Sequence, residues 1–119
     1  GDLAKRRLLH WVGCFRDRFY IELQRTGRDN EEAYIAEAVE LAIEHDVPVV
    51  ATNDVRFLKA DEFEAHEARV CIHDGRTLDD PRRPKNYTRQ QYLRSSEEMQ
   101  QLFADKAGYI KNIDRINII

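Results

Sequence analysis

The residues with the most chemical potential lie in Val49-Val50-Ala51-Thr52-Asn53-Asp54-Val55-Arg56, an apolar run ending in a carboxylate and, two residues on, a guanidinium. A strand through the apolar part delivers Asp54 and Arg56 to the C-terminal edge of a parallel sheet, where loops converge on ligands. Asp54 has the donor type for a divalent cation; pairing with Arg56 or with a helix N-terminus is the commoner use of such a residue. Glu22, within Phe19-Tyr20-Ile21-Glu22-Leu23, is a second carboxylate presented by a strand-like segment. Glu22, Asp54 and Arg56 are therefore the possible active-edge residues.

The four histidines are His10, His45, His66 and His73, and none forms a dense ligand motif with another. His10 and Cys14 are four apart on a helix, a zinc-compatible spacing, but with no second pair in view packing is the simpler reading. His66 and His73 are seven apart and share a helix face. His45-Asp46 closes a helix and carries little information as a dipeptide. Cys14 and Cys71 lie outside any CxxC spacing, so both are expected to be small apolar core residues. No GxxxxGK[ST] loop, GxSxG elbow or GxGxxG turn is present, which removes nucleotide-cradling and serine-hydrolase chemistry. The cluster Arg82-Arg83-Pro84-Lys85 directly follows Asp79-Asp80-Pro81, so it reads as a solvated loop that salt-bridges to itself rather than a phosphate track.

The elements that must position these residues follow from periodicity. Ala4 to Phe15 reads as an amphipathic helix with Leu8, Leu9, Trp11, Val12 and Phe15 apolar. Phe19 to Leu23 reads as a strand. Asp29 with Glu32 resembles a capping box for a helix from about Asn30 to His45, with Ile35, Val39 and Ala42 buried. Val49 to Thr52 lacks polar alternation and suits a strand covered on both faces. Strand, helix, strand makes a right-handed βαβ unit. Asp61 with Glu64 repeats the capping pattern before a helix that stops at Asp74-Gly75, and Thr77 to Tyr87 is loop. Ser95 and Ser96 start a last helix through Met99, Leu102 and Phe103. Residues 106–119 fit neither a helical stripe nor strict alternation.

With 119 residues, 19 Lys+Arg and 22 Asp+Glu, the formal charge is −3. This is enough chain for one core, but a closed α/β barrel takes about 200 residues or more, so a barrel reading is a fragment reading. An acidic balance argues against this chain gripping nucleic acid by itself. No apolar stretch approaches a membrane span of roughly 20 residues and no secretory h-region opens the chain, so the expectation is a cytoplasmic protein without a membrane partner.

Six phrases, in one order, go further. Phe19-Tyr20-Ile21-Glu22-Leu23-Gln24, Val49 through Phe57, Ala65-His66-Glu67, Ile72-His73-Asp74-Gly75, Thr77-Leu78-Asp79-Asp80-Pro81-Arg82 and Ser96-Glu97-Glu98-Met99 together closely resemble the C-terminal part of the PHP (polymerase and histidinol phosphatase) domain of bacterial replicative polymerase alpha subunits. The resemblance runs from about Asp17 to Asp105. It implies an α/β fold that is a fragment of a distorted seven-stranded β/α barrel, with about two parallel strands and flanking helices. Residues 1–105 would be the C-terminal part of that domain and 106–119 an unassigned tail, either vector-encoded or an unusual junction. The longer protein would be a DNA-directed DNA polymerase using Mg in its polymerase domain, with this segment inactive alone.

In metal-bearing members of that family, an Asp-x-His pair at a strand end supplies the last ligands, and it falls on Asp54 and Arg56. The Asp is kept as a vestigial ligand position; the His is replaced. Arginine is permanently protonated and offers a metal no lone pair, so Arg56 is better placed to pair with Asp54. Gln24-Arg25-Thr26-Gly27 also departs from the Asn-His-Gly of some metal-bearing relatives. The resemblance therefore implies a metal-free scaffold with no cofactor of its own, docking a separate proofreading exonuclease (epsilon) subunit and other holoenzyme subunits, with DNA held by other domains. The alternatives are a metal-dependent phosphoesterase or 3'-5' exonuclease, and a free-standing βαβ interaction domain. Parallel strands cut from a barrel expose unpaired edges, so the isolated chain is expected to self-associate.

Overall fold

The computed structural model describes residues 1–110. Its elements run α1 (Asp2–Phe15), β1 (Ile21–Gln24), α2 (Glu31–Glu44), β2 (Val49–Thr52), α3 (Phe63–Asp74) and α4 (Ser96–Leu102). Short 3-10 turns lie at Arg16–Arg18, Ala60–Glu62 and Ala104–Lys106. β1 and β2 pair in parallel, with Ile21 opposite Val49 and Gln24 opposite Thr52, and α2 is the connection between them. The βαβ unit read from the sequence is present.

The core forms where α2 lies on the strand pair. Leu23, Ile35, Ala38, Val39, Ala42, Val49, Ala51, Met99, Phe103 and Ile110 make one buried cluster, with Ile21 and Leu102 packed against it. The expected stripe Ile35, Val39, Ala42 is buried, and Ala38 completes it because i and i+3 positions share a helix face. α4 brings Met99 and, just past its end, Phe103.

Several expectations shift. β2 was expected to be covered on both faces, yet Val49 and Ala51 are buried while Val50 and Thr52 are half-buried. The outer face of the strand pair carries polar neighbours, Glu22, Gln24 and Thr52, instead of a second apolar layer. α1 begins two residues earlier than read, and β1 is Ile21–Gln24 rather than Phe19 to Leu23.

The capping box Asp29/Glu32 does not form: the N-cap is Asn30 at φ 60 with no side-chain cap. Glu31 instead folds back to accept from the Thr26 and Gly27 N–H groups at 2.6 and 2.9 Å, which frees Glu32 for Arg25. Similarly, Glu62 rather than Glu64 accepts from the Leu58 and Lys59 N–H groups ahead of α3. The Ser95 cap is as read: its hydroxyl accepts from Glu98 N–H while the Glu98 carboxylate accepts from Ser95 N–H. Gly75 ends α3 at φ 65, a left-handed C-cap that glycine adopts without strain.

Cys71 is buried as expected, but Cys14 is exposed, since α1 buries only Leu8. His10 and Cys14 approach to 4.0 Å on that open face, so core packing does not explain the pair. Thr77 to Tyr87 is free of helix and strand. Arg82 pairs with Asp80 within the loop as expected, Arg76 reaches the same carboxylate from just ahead of it, and Arg83 leaves the loop to meet Glu67. Of the tail, Ile110 is buried and bridges Val49 in parallel; residues 111–119 lie outside the described residues.

Leu23 is fully buried between α2 and α4 residues, so Leu23→Ala is expected to cost about 2–5 kcal/mol, read as a lowered midpoint in urea denaturation.

Candidate functional site

Beyond the last residue of β2, the chain turns out of the sheet through Asn53 and Asp54. Asn53 is buried and donates from Nδ2 to the carbonyls of Gln90 and Tyr92, at 2.8 and 2.7 Å. These two bonds lay the 88–94 segment alongside 53–57. Arg56 N–H donating to Gln91 O at 2.8 Å and Leu93 N–H donating to Phe57 O at 3.1 Å extend the seam. A buried amide can do this because it supplies two donors without carrying charge into the interior.

Asp54 sits at φ 43, a left-handed conformation that aspartate tolerates better than most residues. Its carboxylate has partners on both sides. One oxygen forms an ion pair with Arg56 Nη2 at 2.9 Å; the other accepts from Arg28 Nη2 at 3.0 Å and Gln91 Nε2 at 2.8 Å. Gln91, fully buried, also donates to the Asp54 carbonyl at 3.1 Å, and so clamps both ends of the turn. Arg56 in turn lies over the Tyr87 ring at 5.5 Å. Arg28 comes from the β1–α2 loop and Gln91 from the segment before α4, so three parts of the chain meet on one carboxylate.

Of the residues read from sequence, the structure joins Asp54 with Arg56 and leaves Glu22 in a different cluster. Glu22 Oε1 accepts from the Thr52 hydroxyl and from Gln24 Nε2, on the outer face of the strand pair. Sequence reasoning missed Arg28 and Gln91. A signal for Arg28 was available, since a basic residue in the loop after β1 reaches the same sheet edge as the end of β2; nothing local marks Gln91.

The histidines are scattered. His66 and His73 occupy one nominal face of α3, yet His66 is packed against Phe57 and Tyr87 while His73 is solvent-exposed at the helix end. The Glu67 carboxylate beside His66 is buried and pairs with Arg83. Among the described residues, no three of His, Cys, Asp and Glu are arranged to hold a metal ion.

The donor set around Asp54 does not suit a divalent cation. One oxygen already accepts N–H donors from Arg28 and Gln91, the other faces Arg56, and the two guanidiniums are permanently charged and repel a metal.

A second polar knot lies just past the end of β1, on the same edge of the strand pair. Arg25 grips Glu32 with two bonds of 2.6 and 2.8 Å, donates to Leu102 O at 2.6 Å and Asp105 Oδ1 at 2.9 Å, and stacks over Phe103 at 5.0 Å. The bonds from Glu32, then Asp105, raise the Arg25 pKa above its already high value, while Arg25 chiefly holds Asp105 down at about 2.

The fold and edge geometry thus define a parallel βαβ unit whose strand-end carboxylate is neutralised by arginine. No protein-family model matches the chain. It is 54% identical over 114 residues to DNA polymerase III subunit alpha of Pseudomonas aeruginosa, covering 94% of this chain and 10% of that protein. The Haemophilus influenzae subunit is 61% identical over 94% of the chain and 11% of that protein, and the Escherichia coli subunit 64% identical over 76% and 8%. The chain is a homologue of a segment of bacterial DNA polymerase III alpha subunits, spanning about a tenth of the length of those relatives.

The Asp105 carboxyl lies below its unfolded value of 3.8, so its stabilising effect is complete above about pH 4 and is lost as pH falls through about 2. Because Asp105 is half exposed, the effect is at most about 1 kcal/mol. Thermal melts between pH 5 and pH 2 should show a steeper acid loss for the native chain than for Asp105→Asn.

Proposed function

We propose that this chain is part of the PHP region of a bacterial replicative polymerase alpha subunit, where it serves as a metal-free scaffold rather than a hydrolytic centre. The two strands and their helices would belong to a larger β/α barrel. Template-directed DNA synthesis, with its Mg, would be carried out by the remainder of the longer polypeptide, in the cytoplasm. Docking of a proofreading exonuclease subunit, together with other holoenzyme subunits, would give such a scaffold its role. No helix among the described residues is long and apolar enough to cross a membrane, which suits this reading.

The single observation supporting it is the Asp54 cluster. A carboxylate used as a metal ligand or general base faces its substrate unpaired; here Arg28 and Gln91 hydrogen-bond one oxygen and the Arg56 guanidinium pairs with the other. The same cluster joins the β1–α2 loop, the end of β2 and the 88–94 segment, which is work a scaffold requires. The phosphoesterase alternative would need a His-rich strand end that Arg56 displaces.

The purified chain, equilibrated with zinc or manganese and then dialysed, is expected to retain neither in stoichiometric amount by elemental analysis. A tight site lost on Asp54→Ala would overturn the scaffold reading. In the same protein, Asp54→Ala strands two guanidiniums beside Gln91 and should lower stability by about 1–3 kcal/mol in urea denaturation.

A further inference from the structure

The segment 77–87 contains no helix or strand and carries Pro81 and Pro84. None of its residues is buried, and only Asp80, Arg83 and Tyr87 are half-buried. Its backbone bonds are local, Asp80 N–H to Thr77 O and Arg83 N–H to Asp80 O. Asp80 serves the segment and its approach, accepting from Arg82 N–H and pairing with Arg76 and Arg82. Attachment to the body therefore falls to Arg83 and Tyr87.

Both dock on one turn of α3. Arg83 donates from Nε to Leu78 O, which stiffens the segment, and from Nη1 to the buried Glu67 carboxylate at 2.5 Å. Tyr87 stands edge-on to His66, with 4.7 Å between ring centroids, and the Arg56 guanidinium lies 5.5 Å over its ring. Arg56 is the residue paired with Asp54. The segment thus rests on α3 at its middle and against the Asp54 cluster at its end.

The Glu67–Arg83 pair is incompletely satisfied. Glu67 Oε2 accepts from Arg83, while Oε1 is buried and accepts no hydrogen bond among the described residues; His66 Nδ1, 3.6 Å from it, is equally without a hydrogen bond. A buried carboxylate with half of its acceptors unused has given up hydration that the ion pair only partly returns. Lifting the segment restores that hydration and uncovers no buried residue of the segment itself, so little opposes opening beyond the ion pair and the Tyr87 contacts. Weakly packed units of this kind open at well below the cost of global unfolding.

We propose that 77–87 is a strap that opens as a unit when the Glu67–Arg83 pair parts, and that closing it seats Tyr87 beneath Arg56 and so holds Arg56 on Asp54. The coupling runs both ways, since whatever the closed strap favours must favour the closed strap in return. The device is internal to the chain and does not depend on the scaffold reading.

Limited trypsin digestion of the 119-residue chain, with fragments identified by mass, reads the strap at the Lys85–Asn86 bond and the fold at Arg69–Val70 inside α3. Glu67→Gln should speed the Lys85 cut about tenfold or more, the worth of a charge-assisted bond, and leave the Arg69 cut as slow as in the native chain. Arg83→Ala, a change outside every helix and strand, carries the same expectation should Glu67→Gln not fold. Arg56→Ala should speed the Lys85 cut about two- to fivefold, the worth of one exposed cation–π contact. Arg28→Ala should leave it unchanged, because Arg28 has Asp54 as its sole ion-pair or ring partner among the described residues. A Lys85 cut indifferent to both Glu67→Gln and Arg83→Ala overturns the strap, and so does a parallel rise at Arg69 in Arg83→Ala, which would mean that the whole chain opens. Equal effects of Arg56→Ala and Arg28→Ala overturn the link through Tyr87.

Discussion

A parallel ladder of two strands with four residues each supplies few hydrogen bonds, and the rest of the structure follows from that shortage. Two strands cannot make a self-sufficient sheet in water. Side chains therefore carry the long-range ties: Asn53 and Gln91 sew a later segment to the end of β2, and Arg25 fastens the end of β1 to α2 and to the turn after α4. Each tie joins residues distant in sequence, so each closes a loop the ladder leaves open. Apolar packing of α2 on Leu23, Val49 and Ala51 then acts on strands already held in place.

The ties differ in kind, and the difference shapes the edge of the sheet. At β1 the knot is ionic and half open to solvent, with Arg25 shared between two carboxylates. Beyond β2 it is built largely from neutral amides, with Arg28 and Arg56 reaching Asp54 from the solvent side and the buried Arg94 donating to Gln90 and Tyr92. Buried hydrogen bonds of the second sort are the more costly to leave unmade, because no water stands ready to replace the lost partner. The edge where an α/β protein normally keeps its chemistry is here the most thoroughly cross-braced part of the chain.

Much of this architecture was legible in the residues. The run Val49 to Thr52 is a strand with the expected bounds, the apolar stripe of α2 faces the core, and the last helix starts at Ser95 and Ser96. What was not legible depended on choices between equivalent neighbours. Asp29 with Glu32 has the spacing of a cap, but Glu31 reaches the loop amides first, and Arg25 claims Glu32 from the other side. Cys14 has core composition but sits on a helix that packs on little. At the site, Asp54 and Arg56 were within reach of local reasoning because they are two positions apart; Gln91 was not, since it lies 37 positions on and a lone glutamine carries no pattern.

The positive φ of Asp54 ranks the demands on this position. Few residues besides glycine, asparagine and aspartate accept a left-handed backbone cheaply, so the turn out of β2 restricts the residue here before any contact of its side chain does. Glycine would keep the turn but lose the anchor for the 88–94 segment, which leaves a short acidic or amide side chain as the type that serves both.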